Sequence, residues 1–287
     1  MPIDLTRALP SIPRQLDVHW RPDDVLLYQL AIGYGNPPTD ARQLSYATEP
    51  HLQVLPTFAV VAPSLRETQP PGLDWPGIDI NLSKILHGSQ RIEINAPLPT
   101  SAEGVASTHI AAIQDKGSAA VIELATDVTD GDGGHLWTST MRIFARGEGG
   151  FGGDRGTTLS ITAPERSPDA VFDTETLPQQ ALLYRLLGDR NPLHSDPEFA
   201  RRVGFERPIL HGLATYGIVL KAAVTHLLDG NADGVRVYEG IFTGIVLPGE
   251  TIRTKAWREG NKITLISSVP QRDDASVLNA EVIVAGR

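Results

Sequence analysis

The chain has 287 residues, 41% hydrophobic and 21% charged, with no cysteine and a formal net charge of −9. The length suggests about two domains, and the composition is that of an ordinary soluble globular protein. Lack of cysteine excludes a disulfide framework, a thiolate nucleophile and a Cys-ligated metal, and the acidic balance argues against nucleic acid as a partner, because phosphates are neutralised by basic surface.

At the N-terminus, Met1-Pro2-Ile3-Asp4 shows no basic segment followed by an apolar run, so no signal peptide is expected. No stretch approaches the roughly 18 to 20 consecutive apolar residues of a spanning helix. Together with the missing cysteines this suits the cytoplasm. Tyr28-Gln29-Leu30-Ala31-Ile32-Gly33-Tyr34-Gly35-Asn36-Pro37 and Thr57-Phe58-Ala59-Val60-Val61 come next, followed by strand-like segments at His87 to Asn95, Gly104 to Asp115, Ser118 to Asp127 and His135 to Arg146.

From Gly147 to Gly156 six residues in ten are glycine, which reads as a flexible connection. The formal G-x-G-x-x-G within it, Gly147 to Gly152, lacks the helix that a dinucleotide fingerprint needs directly afterwards. The chain therefore divides into residues 1–146, a linker at 147–170, and residues 171–287.

Beyond the linker the first half's motifs return. Tyr184-Arg185-Leu186-Leu187-Gly188-Asp189-Arg190-Asn191-Pro192 answers the Tyr28 segment, and Thr215-Tyr216-Gly217-Ile218-Val219 answers the Thr57 segment. The near-constant offset suggests duplication of one domain of about 140 residues. Leu177 to Leu187 has helical apolar spacing and stops at Gly188. Asp196-Pro197 starts a short helix as N-cap and first residue, and Gly204 ends it. Leu213 to Leu228 is apolar almost all round, as a buried helix is. Strands follow at Val235 to Val246, Glu250 to Arg258, Lys262 to Val269 and Ser276 to Val284, with Gly260-Asn261 as a hairpin turn. Each half thus reads as helix first and strands later, an α+β arrangement with an antiparallel sheet around a central helix.

The chemistry concentrates between Gly188 and Gly212. Asp189 and His194 lie five apart on a turn forced by Asn191-Pro192, where their side chains can converge. A carboxylate beside an imidazole can hold a water and move protons near neutral pH. Gly212 opens the buried helix, and its N–H can donate to a carbonyl oxygen that gains charge. Each residue alone has a plainer reading: Asp189 at a helix end, His194 on a solvated loop, Gly212 in tight packing. No familiar metal-ligand spacing joins Asp189, His194 and His211, so no metal is expected. The chain has no G-x-S-x-G elbow.

The run Gly188 to Pro197, with Gly204-Phe205 and Pro208-Ile209-Leu210-His211-Gly212-Leu213, resembles the type 2 enoyl-CoA hydratases of the MaoC-like group. The resemblance implies a double hot-dog: a degenerate, acyl-CoA-binding first half and a catalytic second half. Tyr34 and Thr39 stand where the second half has Asp189 and His194. It further implies that Asp189 and His194 are the catalytic pair, that Asn191 orders their loop, and that the Gly212 N–H binds the thioester carbonyl. The implied reaction is addition of water to trans-2-enoyl-CoA in fatty acid or related acyl-CoA metabolism, giving the (3R)-3-hydroxyacyl-CoA without a cofactor. Ligand contacts from the first half would fall on Leu86-His87-Gly88 and on Asp115-Lys116-Gly117, with Phe242 as an aromatic near the ligand. By residue type alone Lys116 is equally a hairpin lysine, Phe242 a core aromatic, and His87-Gly88 the start of a strand. Ser89 departs from the acidic residue common after His-Gly. The competing readings are a 3-hydroxyacyl carrier-protein dehydratase, a hot-dog acyl-CoA thioesterase and a non-enzymatic acyl-CoA-binding subunit. A homodimer is the default assembly.

Overall fold

A computed structural model describes residues 3–70, 72–80 and 85–286; Met1 and Pro2 of the N-terminal reading lie outside them. Ten strands form one antiparallel sheet: β1 Arg14–Trp20, β2 Ile85–Ile94, β3 Ala102–Asp115, β4 Ala119–Asp130, β5 His135–Arg146, β6 Ala170–Glu175, β7 Val235–Phe242, β8 Thr251–Glu259, β9 Lys262–Val269 and β10 Ala275–Val284. Their spatial order is β1-β3-β4-β5-β2-β7-β10-β9-β8-β6. Read inward from either edge, the two halves have the same pattern, with β6 to β10 repeating β1 to β5. The duplication suspected from two short motifs is therefore present in the topology, as the double hot-dog requires. The halves join where β2 pairs β7, from Ser89↔Ile241 to Glu93↔Val237.

Among the described residues six α-helices accompany the sheet: α1 Leu5–Ala8, α2 Pro22–Ala31, α3 Ala41–Leu44, α4 Gln180–Tyr184, α5 Pro197–Arg202 and α6 Gly212–Leu227. Of these, α2, α4 and α6 pack into the main core against the sheet. In α6 every residue from Ala214 to Val224 is buried, in line with its all-round apolar sequence. Burying a side chain such as Ile218, Val219 or Leu220 stabilises by about 1.5–3 kcal/mol relative to exposure. One core runs through both halves, joining Trp20, Tyr28, Phe58 and Trp137 to Tyr216, Leu220 and Tyr238. Lys221 is buried within it, its Nζ donating to the Gly33 carbonyl, and desolvation pushes its ammonium down to about 8.

Three expectations change. Among the described residues the first half has no long central helix: Pro56–Val60 and Ala62–Ser64 are short 3-10 segments where α6 stands in the second half. Nor does either half open on its main helix: the first starts with the single turn α1 and then edge strand β1 before α2, and the second starts with edge strand β6 before α4. The first four residues of β1 are exposed, so the strand lacks the alternation that would mark it.

The glycine run, finally, is bound rather than loose. The Asp115 carboxylate accepts from the N–H groups of Gly117, Gly150 and Gly152, each at 2.8 Å. The N–H groups of Gly150 and Gly117 hold its pKa down at about 2. A carboxyl depressed in the folded state stabilises above its ordinary pKa near 4, and that contribution is lost as pH falls through about 2. Replacing Asp115 by Ala is expected to make residues 147–156 severalfold more sensitive to limited proteolysis at pH 7, with circular dichroism unchanged.

Candidate active site

The loop between α4 and α5 is shaped by its own backbone contacts. After α4 a 3-10 turn, Arg185–Leu187, ends at Gly188 with φ +112°. A Cβ there would lie 1.9 Å from the Ser64 carbonyl oxygen, so the first half presses directly against this point. Asp189 Oδ1 then accepts from the Asn191 N–H at 3.1 Å, and Asn191 Oδ1 accepts from the Leu193 N–H at 3.0 Å. These two side-chain-to-backbone turns close the Pro192–His194 turn and bring His194 back toward Asp189. Asp196 caps α5 as expected, accepting from Glu198 and Phe199, and Pro197 is its first residue.

A strap from residue 208 to 211 lies across this loop. The Leu210 N–H donates to Val246 O at 2.8 Å, and His194 Nδ1 is 2.9 Å from Ile209 O. A carbonyl only accepts, so Nδ1 carries the proton and a neutral ring leaves Nε2 as a free base. His194 is buried, and desolvation lowers its pKa despite the opposing pull of the Asp189 carboxylate. The ring is therefore neutral at pH 7 and able to take a proton.

His211, the residue before α6, stacks on His194 with ring centroids 3.7 Å apart and planes at 27°. One ligand atom each from Asp189, His194 and His211 lie within 4.8 Å of one another, which would suit a metal by distance alone. The ring geometry is against it. Imidazole lone pairs lie in the ring plane, and those of stacked rings run side by side instead of converging on one ion. In addition, His194 Nδ1 and His211 Nε2 both face backbone carbonyls.

Gly212 is the first residue of α6, so its N–H has no partner within the helix. A Cβ on it would meet Phe242 Cε1 at 3.3 Å, and His87 sits edge-on to the same Phe242 ring at 4.8 Å. Burial pushes His87 down to about 4, and its Nε2 has no partner among the described residues. Gly88 falls at the register shift between His87 and Ser89 in the β2–β5 pairing. The expected residues thus gather as two groups, Asp189 with His194, and Gly212 with Phe242 and His87, joined by the adjacent residues 211 and 212. Lys116 is bonded elsewhere, its Nζ donating to Arg155 O at 2.5 Å and Thr157 O at 3.2 Å. Tyr34 stacks on Tyr46 at 4.4 Å and Thr39 is exposed, so the two positions that answer Asp189 and His194 hold no acid–base pair.

Residues 160–276 match the MaoC like domain, and residues 19–147 match the MFE-2 hydratase 2 N-terminal domain. Enoyl-CoA hydratase ChsH3 of Mycobacterium tuberculosis is 51% identical over 284 residues, 99% of this chain and 99% of that protein. The chain belongs to the MaoC-like type 2 enoyl-CoA hydratases. The peroxisomal enoyl-CoA hydratase 2 of Arabidopsis thaliana is 40% identical, with 92% of this chain and 89% of that protein covered. A MaoC-like dehydratase from Phytophthora capsici has a TM-score of 0.89 at 30% identity, covering 99% of this chain and 98% of that one. Among the described residues no helix is long and apolar enough to cross a membrane.

For this MaoC-like chain, Ser64 is the neighbour that residue-by-residue reading of the sequence missed, while His211 was weighed there only as a metal ligand. Ser64 meets Gly188 across more than a hundred positions and leaves no local signal. The stacking of His211 on His194 leaves no signal in the sequence beyond its adjacency to Gly212. Substituting Gly188 by Ala is expected to lower stability by about 1–3 kcal/mol, the usual cost of one strained backbone position. Chemical denaturation should show that loss, and steady-state assays should show a fall in kcat as the Asp189 loop shifts.

Proposed function

We propose that this hydro-lyase adds water across trans-2-enoyl-CoA to give (3R)-3-hydroxyacyl-CoA, and runs the reverse dehydration, in fatty acid or related acyl-CoA metabolism. The observation that carries the reading is the neutral His194, its Nδ1–H spent on Ile209 O and its Nε2 free, beside Asp189 and next to the N-terminal end of α6. In this reading the Gly212 N–H donates to the thioester carbonyl, drawing electron density away from C3. A water held by Asp189 and His194 Nε2 attacks C3 as Nε2 takes its proton. The Asp189 carboxylate steadies the resulting imidazolium, which then returns a proton to C2 of the enolate. Atoms balance: one water is consumed and the site regains its starting protonation.

The first half, residues 1–146, would hold the acyl-CoA against the catalytic residues 171–287, across the 147–170 connection. His87, Gly88 and Phe242 line the approach to Gly212, while Asn191 orders the dyad loop. Lys116 supplies a positive charge toward the CoA phosphates from the β3–β4 hairpin, its ammonium held by two linker carbonyls. CoA belongs to the substrate, and no step calls for a cofactor. A homodimer in the cytoplasm completes the reading.

Replacement of Asp189 by Asn, or of His194 by Gln, is expected to reduce hydration of crotonyl-CoA by about 10²- to 10⁴-fold, the usual contribution of a positioned acid–base group. Loss of enoyl absorbance at neutral pH, with circular dichroism to check folding, makes the measurement. Wild-type turnover in either folded variant would sink the dyad. Release of free CoA without saturation of the double bond would instead identify a thioesterase, and faster turnover of carrier-protein thioesters a carrier-protein dehydratase.

A further inference from the structure

We infer that His211 is a positioning residue for the hydration site, holding the loop of Asp189 and His194 at a fixed place relative to the Gly212 N–H. The inference rests on the reading of Asp189 and His194 as the reacting pair. It starts from a missing interaction. His211 is the N-cap of α6, a place where Ser, Thr, Asp or Asn would accept from the exposed N–H groups, yet its side chain makes no capping bond. The ring turns back toward the dyad loop instead, and only 1% of the residue is exposed.

There it touches every part of the site. Its Nε2 lies 3.4 Å from the Asp189 main-chain oxygen, which can only accept, so Nε2 donates. Its face covers the His194 ring at 3.7 Å, and its own main chain leads directly into Gly212. Tyr184 of α4 packs against its other side at 4.9 Å, and its Nδ1 is buried with no partner among the described residues. One side chain therefore spans the base, the backbone of the acid and the helix end.

Two effects follow, and they are separable. The hydrogen bond to Asp189 O sets the spacing between the loop and the helix. The stacked face keeps water from His194 and so helps disfavour its imidazolium. The groups facing His194 are Asp189, which favours the charged form, and His211. Those facing His211 are His194, Tyr184 and Arg185, and burial with the nearby His194 keeps its own pKa well below the ordinary value.

The test compares His211→Phe, His211→Asn and His211→Ala in the full chain, measuring kcat and KM for crotonyl-CoA from pH 5 to 9 alongside thermal melts. In His211→Phe the face remains and the hydrogen bond is lost. The acid limb of kcat/KM should stay in place while kcat falls roughly tenfold or more, with KM nearly unchanged, because small misplacements of reacting groups are costly. In His211→Asn and His211→Ala the face is gone, so the acid limb should move up toward the ordinary histidine value of about 6.5. If His211→Ala does not fold, the Phe and Asn variants decide. Wild-type kcat and an unmoved acid limb in the folded variants would overturn the inference, as would losses confined to melting temperature. Those results would leave the dyad standing if the Asp189 and His194 variants are inactive. Activity in the latter would instead remove the dyad itself.

Discussion

The site depends on one hydrogen bond, from His194 Nδ1 to the Ile209 carbonyl. It settles which nitrogen carries the proton and hence which one is left to meet the substrate in the proposed reaction. It also ties the dyad loop to the strap that leads into α6, which the Leu210 N–H anchors to Val246 O. Burial sets the charge: desolvation lowers the His194 pKa against the opposing pulls of the Asp189 carboxylate and the Ile209 carbonyl, so the ring remains a base at neutral pH. Without that bond, His194 could rotate or change tautomer, and the neighbouring carboxylate would have no partner of fixed orientation.

The duplicated architecture explains how such a loop is supported. Five strands from each half form a continuous sheet through the β2–β7 pairing, and one core passes across the junction. Among the described residues the first half has 3-10 turns where the second has its long helix, and Tyr34, at the position answering Asp189, is stacked on Tyr46. The first half contributes the Ser64 backbone beneath Gly188, and it presents His87 to Phe242 at the mouth of α6. In the proposed reading its role at the site is support and lining, with the reacting groups supplied by the second half.

Much of this was legible in the sequence because the relevant signals are local. Asp196-Pro197 caps a helix through its own side chain and ring, and α6, mostly apolar, is buried over eleven successive residues. The Asp189-to-His194 spacing follows from side-chain-to-backbone turns within six residues. What was not legible depends on distant partners. The glycine run at 147–156 reads as loose until Asp115, some thirty positions earlier, supplies the carboxylate that its N–H groups surround. Edge strand β1 owes its existence to pairing with β3, its exposed residues giving no pattern of their own. The first half's motif matches α6 over five residues, too few to show that the helix itself is absent.

The central claim, that His194 is held as a neutral base with its Nδ1 protonated, can be read directly from the ¹⁵N spectrum of histidine-labelled protein, with His194→Gln used to assign the signals. At pH 7 the account predicts a protonated Nδ1 and an unprotonated Nε2 for His194, with conversion to imidazolium only below the ordinary histidine pKa. A proton on Nε2 with Nδ1 bare, or an imidazolium at pH 7, would contradict it.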